Sequence, residues 1–336
     1  MLKRPRRNRK SQAIRSLVQE TQLNADDFVA PLFVTDGPTQ AIKSMPGILR
    51  YNCSELIKHA EHLIGLGIKA IALFPCIDPC NKDELGSYAS RPDGLIPKTI
   101  RLLKEYLPDL CIIADVALDP YTTHGHDGLL QGADVHNDLS VEALAKQALV
   151  LAQSGADIIA PSDMMDGRVL AIRKILDLHG FEQVSICSYA AKYASSYYAP
   201  FRSALGSKLV ASDKKSYQLN PANRKEALLE GQLDVDEGAD MLMVKPALSY
   251  LDIISDFKAT FQLPICAFHV SGEYAMVMAA HNAGILDADR VFFESLLAIK
   301  RAGASFIFTY AAERLLENKR LERVINTAQC SVAAHL

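Results

Sequence analysis

The chain has 336 residues, of which 49% are hydrophobic, 22% charged and 7% aromatic, enough for one large or two modest globular domains. Lys and Arg total 36 against 39 Asp and Glu, and the net charge of −3 argues against a nucleic-acid-binding protein. No apolar run reaches the ~18 residues that a membrane-spanning helix needs.

Seven cysteines, an odd number set mostly in apolar stretches, predict reduced, buried thiols and a cytoplasmic protein rather than a disulfide scaffold. The chain opens on a basic cluster of Lys3, Arg4, Arg6, Arg7, Arg9, Lys10 and Arg15, and its first acid is Glu20. No apolar segment follows, as a secretory signal would require. An organelle transit peptide, a nucleic-acid arm and a basic extension docking on an acidic neighbouring subunit all fit that composition.

From Phe28 onward, short β-branched or apolar runs alternate with stretches of helical period. The predicted strands are 29–34, 69–74, 111–117, 157–161, 184–188, 241–245, 264–270 and 305–310. Between the third and fourth, Val141, Leu144, Ala145, Ala148 and Leu151 share one apolar helical face behind a capping cluster, Asn137-Asp138-Leu139-Ser140. Gly155, Gly180, Gly238 and Gly303 stand where helices should end. Eight such units predict an α/β fold, a closed (β/α)8 TIM barrel, forming one domain behind an N-terminal arm. No G-x-G-x-x-G follows the first strand, and Walker, H-E-x-x-H and G-x-S-x-G motifs are missing. The stretch 193–221, YASSYYAPFRSALGSKLVASDKKSYQLNP, has aromatics and basic residues but no period, and reads as a mobile lid over a site.

In such a barrel the chemistry gathers at the C-terminal ends of the strands. There the chain places Asp115, Asp119, His124, His126 and Asp127 after strand three, Ser162 and Asp163 after strand four, and Lys192 beyond strand five. Lys245 ends strand six, Ser271 and Glu273 follow strand seven, and Tyr310 ends strand eight. Lys245 follows Met241-Leu242-Met243-Val244, so its ammonium meets a low-dielectric interior that lowers its pKa, as an amine nucleophile requires. Lys192 on the neighbouring strand adds like-charge repulsion, and the pair points to Schiff-base chemistry on a ketone or aldehyde. The plainer alternative is that each lysine pairs with an acid such as Asp115 or Asp163. The carboxylates of 115–127 suit a hard divalent cation, and His124-x-His126 leaves open a metal-dependent hydrolase. Cys76-x3-Cys80 lacks a second half for zinc, and Glu230, near the end of a predicted helix 223–230, reads as a solvated helical acid.

The segments TTHGHDG (122–128), APSDMMDGR (160–168), CSYAAKYASSYYAPFR (187–202), MLMVKPALSYLD (241–252) and HVSGEY (269–274) resemble the porphobilinogen synthase (5-aminolaevulinate dehydratase) family. RPRRNRK (4–10) and DFVAPLFV (27–34) extend the resemblance over nearly the whole chain. It implies a barrel over 28–336 with an arm, residues 1–27, packed on a neighbouring subunit of a homo-octamer, which favours docking over a transit peptide. It also implies condensation of two 5-aminolaevulinate molecules to porphobilinogen, with Lys245 forming the Schiff base and Lys192 as the second active-site lysine. Ser271 and Tyr310 would bind the first substrate's carboxylate, and Arg202 and Lys214 the second's. Zinc-dependent members carry three cysteines where this chain has Ala117, Asp119 and Asp127, so the resemblance is to the aspartate-rich, magnesium-responsive type without catalytic zinc. Glu230 matches an allosteric Mg2+ position, with Asp166 as its outer partner. Whether an ion sits between Asp119 and Asp127 stays open. No organic cofactor, nucleic acid or membrane partner is implied.

Overall fold

The computed structural model describes residues 1–206 and 213–318. Eight parallel strands form its centre: β1 (Phe28–Thr35), β2 (Ala70–Cys76), β3 (Cys111–Val116), β4 (Ile158–Pro161), β5 (Ser185–Lys192), β6 (Met241–Lys245), β7 (Ile265–His269) and β8 (Phe306–Thr309). Each pairs with the next, and β8 returns to β1 through Ile307 opposite Phe28 and Phe308 opposite Val29, so the barrel closes. Strands buried on both faces need continuous apolar runs, which is why β1 is buried at every position.

All eight predicted runs fall on barrel strands. The difference that matters is β5, which continues past the predicted end at 188 as far as Lys192; its pairing with β6 shifts register between Leu242 and Val244. Lys192 is therefore the last residue of a strand rather than part of a loop.

The helix Asn137–Gln153 buries Leu144, Ala145, Ala148 and Leu151 as its period predicts, while Val141 is only half-buried. Its cap is His136, whose ring accepts the Leu139 amide, and not the Asn137–Ser140 cluster. Ser140 instead turns inward, and its hydroxyl accepts the Leu129 amide. Gly155 and Gly303 take φ of +103° and +127° where the chain reverses towards a strand, a conformation that L side chains avoid. The helix holding Glu230 runs Lys225–Asp236, so Glu230 lies mid-helix and not near an end.

The stretch read as a periodless lid contains a helix, Ala199–Leu205. Its C-terminal carbonyls are held from outside: Arg50, in a hairpin strand (Leu49–Tyr51) beside β1, donates to Ala204 O at 2.5 Å and Ser203 O at 2.6 Å. The returning end is tied to β5, with Leu219 N donating to Lys192 O at 3.0 Å and Ala194 N to Leu219 O at 2.8 Å. Residues 207–212 of the expected lid, and Cys330, lie outside the described residues. Among the described cysteines, Cys187 and Cys266 are buried, Cys53, Cys76 and Cys111 half-buried and Cys80 exposed, so burial is less general than predicted. The arm forms two short helices, Pro5–Arg9 and Gln12–Leu17, neither burying a residue. No helix of the described residues is long and apolar enough to cross a membrane.

Candidate active site

Lys192 and Lys245 end adjacent strands and are register partners. Neighbouring parallel strands lie ~4.8 Å apart, so both side chains rise from the same point of the rim into one pocket, which Arg202 and Lys214 also line. Their surroundings differ. The Lys245 ammonium nitrogen stands over four aromatic rings, 4.3 Å from the centroid of Phe268, 4.9 Å from Tyr189, 5.2 Å from Phe201 and 5.5 Å from Tyr198. Burial first, then the charge on Lys192, lowers its pKa to about 7, against the pull of Asp115, Asp119 and Asp127.

Among the described residues Lys192 has an acid partner and Lys245 has none. Its nitrogen donates to Asp127 Oδ1 at 3.0 Å and to the carbonyl of Ser162. Asp127 also accepts from Lys214 at 2.7 Å and from the Tyr217 hydroxyl at 2.9 Å. Burial resists its charge, but the ammonium groups of Lys192 and Lys214 outweigh that penalty and hold the carboxyl well below the usual range. Lys214 reaches Asp119 as well, at 3.1 Å, and burial, which would lower its pKa, is overcome by the two aspartates. One ammonium thus bridges Asp119 and Asp127.

Asp115 brings a different chemistry. Its Oδ1 is buried with no hydrogen-bond partner, and burial pushes the carboxyl up to about 7 against the opposing charges of Lys245 and Lys192. Near neutral pH the site therefore holds an amine and a carboxyl that compete for a proton. Tyr310, stacked on Phe33 at 5.9 Å, keeps a buried hydroxyl without a partner. Ser271 Oγ accepts the Phe201 amide at 3.0 Å and donates to Tyr197 O at 3.4 Å, so the helix bearing Arg202 is seated on the start of the helix after β7.

The family model described as delta-aminolevulinic acid dehydratase matches residues 2–318. The chain belongs to this family. A relative from Bradyrhizobium diazoefficiens, named delta-aminolevulinic acid dehydratase, is 50% identical over 322 residues, covering 95% of this chain and 91% of the relative. One of the same name from Chlamydia pneumoniae is 50% identical over 317 residues, covering 94% and 96%. A crystal structure of the delta-aminolevulinic acid dehydratase of Toxoplasma gondii, in complex with the reaction product porphobilinogen, superposes with a TM-score of 0.93 at 47% identity, covering 94% of this chain and 91% of that one.

Lys245, Lys192, Arg202 and Lys214 thus meet in one pocket of a family member, with Ser271 and Tyr310 on the adjoining strand ends. His124 and His126 are used locally: His124 Nε2 lies 3.1 Å from Glu84 O, and His126 Nδ1 lies 3.1 Å from the Tyr217 hydroxyl. Among the described residues neither joins a cluster of three potential metal ligands. Glu230 and Asp166 lie apart from the lysines, lining a cavity of about 410 Å3. Burial raises the Glu230 carboxyl to about 7 despite Arg168, with Asp234, Asp166 and Glu226 adding to the rise.

Sequence reasoning missed the rings around Lys245, the Ser162 carbonyl and Tyr217. The rings come from β5, β7 and the lid, and only closure of the barrel shows that they meet. Tyr217 had a signal, as an aromatic inside a basic stretch, but none that pointed to Asp127.

Proposed function

We propose that this chain condenses two molecules of 5-aminolaevulinate to porphobilinogen with loss of two waters, a lyase reaction of haem biosynthesis. The observation that carries the reading is Lys245, a caged amine with a pKa near 7 and, among the described residues, no acid bound to it, beside a lysine that has one. The neutral Lys245 amine attacks the ketone of the first substrate, and the carbinolamine expels water to leave an imine. Lys192, oriented by Asp127 and Ser162, captures the second substrate at or near its nitrogen. Ser271 and Tyr310 take the first carboxylate, for which the unpartnered Tyr310 hydroxyl is suited. Arg202 and Lys214 take the second, Lys214 exchanging an aspartate contact for the substrate. Carbon–carbon and carbon–nitrogen bonds then form, the substrate's bond to Lys245 breaks to return the free amine, the second ketone oxygen leaves as water, and loss of a proton completes the aromatic pyrrole. Holding both molecules in one closed pocket makes the encounter effectively unimolecular.

We read the chain as the aspartate-rich, zinc-independent type. Asp119 and Asp127 bind ammonium groups here. Mg2+ fits the Glu230 cavity: carboxylates suit a hard cation, and burial together with Asp234, Asp166 and Glu226 already opposes the charge on Glu230. Tyr217 lines that cavity and also bonds Asp127, giving such an ion a route of influence on Lys192. Assembly to an octamer through the arm, and a cytoplasmic site of action supported by free cysteines, complete the reading.

Borohydride reduction in the presence of 5-aminolaevulinate, followed by peptide mapping, tests the chemistry. The adduct is expected on Lys245, and Lys245→Met should lose it together with turnover, by a factor on the order of 10^4 or more. A wild-type chain with no adduct on either lysine, or an active Lys245→Met, would overturn the proposal.

A further inference from the structure

We propose that His62, Glu313 and Glu317 form a binding site for a divalent transition metal of the zinc class, which clasps the first barrel helix to the last. Helix Cys53–Gly65 follows β1 and helix Ala312–Glu317 follows β8, so closure of the barrel sets them side by side. His62 Nε2 lies 3.4 Å from Glu313 Oε1 and 3.0 Å from Glu317 Oε1, and one donor atom from each of the three residues falls within 4.8 Å of the others. Donors held ~2.0–2.1 Å from a tetrahedral ion stand ~3.3–3.4 Å from one another, so these side chains already have the spacing of a ligand set.

A fourth donor is at hand. His59, one turn before His62, has its Nε2 3.7 Å from Glu313 Oε2, and its ring is stacked on Tyr51 with centroids 4.5 Å apart and planes 18° apart. Glu313 and Glu317 are four residues apart on one helix, a spacing at which like charges repel. Among the described residues their ion-pair partners are these two histidines, while the adjacent Arg314 pairs with Asp289. One or two imidazoles with two carboxylates select a zinc-class ion over Mg2+ or Ca2+, which prefer all-oxygen cages. His62 and Glu317 are half exposed, which leaves a path for the ion. His62, Glu313 and Glu317 line neither the pocket of the catalytic lysines nor the Glu230 cavity. The site lies just beyond Tyr310, whose strand end the clasp would brace.

The test uses the full-length chain, stripped with a chelator and titrated with Zn2+ by calorimetry in excess Mg2+, so that the Glu230 cavity is saturated. One Zn2+ per chain and a Zn2+-dependent rise in Tm are expected. His62→Ala and Glu317→Gln should each weaken binding roughly tenfold or more and remove the Tm response. Both side chains are surface groups, so the variants should fold, which circular dichroism checks. Cys80→Ser should bind as the wild type does. No Zn2+ binding, binding unchanged in both ligand variants, or loss of binding in Cys80→Ser would each overturn the site, the first leaving a plain His–Glu ion-pair cluster.

Discussion

A lysine at the end of a buried strand escapes the cost of desolvation either by acquiring an acid or by losing its proton. Lys192 and Lys245 take one route each, because Asp127 reaches the former while aromatic rings surround the latter. The sign of the pH dependence follows. Lys245 has its pKa lowered to about 7, so the reactive neutral amine is scarce below that value and accumulates above it. Activity should therefore rise with pH through an ascending limb near 7, read from the pH profile of kcat/KM at saturating Mg2+. Since Asp115 is raised to about the same value, Asp115→Asn should move the limb as well as lower the rate. A flat profile between pH 6 and 8 would show that Lys245 does not control the rate.

At the scale of elements, the lid is positioned by contacts that no local pattern encodes. Gly272 shows how tightly. It opens the helix Ser271–Asn282 directly under the lid, and a Cβ placed there would stand 2.7 Å from Tyr197 Cα. Backbone cannot yield at that distance without moving the helix that bears Arg202. Gly272→Ala is thus expected to raise KM for 5-aminolaevulinate roughly tenfold or more while borohydride still traps an imine on Lys245. An unchanged KM would mean that the lid is not held from below. The motif HVSGEY carried this glycine in plain sight, yet its purpose depends on a segment some 75 residues away in the chain, as the Ser271–Tyr197 hydrogen bond between the same two elements indicates, spanning 74 residues.

For the whole molecule, the arm is the outstanding feature. Its two helices bury no residue, in contrast to Leu23 and Asp27 nearer the barrel, and Leu17 is 84% exposed, an apolar side chain that a partner surface would cover. Deleting residues 1–10 should reduce the mass of the assembly by light scattering while leaving the far-UV circular dichroism of the barrel unchanged. An assembly of undiminished mass would remove the docking role. The Glu230 cavity is tested at the same scale. Chelation should lower activity without abolishing imine formation, and Glu230→Gln should make activity insensitive to added Mg2+. A variant that still responds would place the ion elsewhere.

Strands and barrel class were legible because burial on both faces writes continuous apolar runs into the chain, with glycines at the returns. Lys245 was legible for the same reason, as a charge at the end of such a run. The Mg2+ role expected of Glu230 and the carboxylate-binding roles expected of Ser271, Tyr310, Arg202 and Lys214 came only through family resemblance, whereas the lid was read from a long stretch without period. Which lysine would hold an acid was decided by tertiary structure alone. Asp127 lies 65 residues from Lys192, and Lys214 lies 95 residues from Asp119. Local periodicity records which face of an element is buried, but the partner that a buried charge meets depends on where closure of the barrel brings distant segments together.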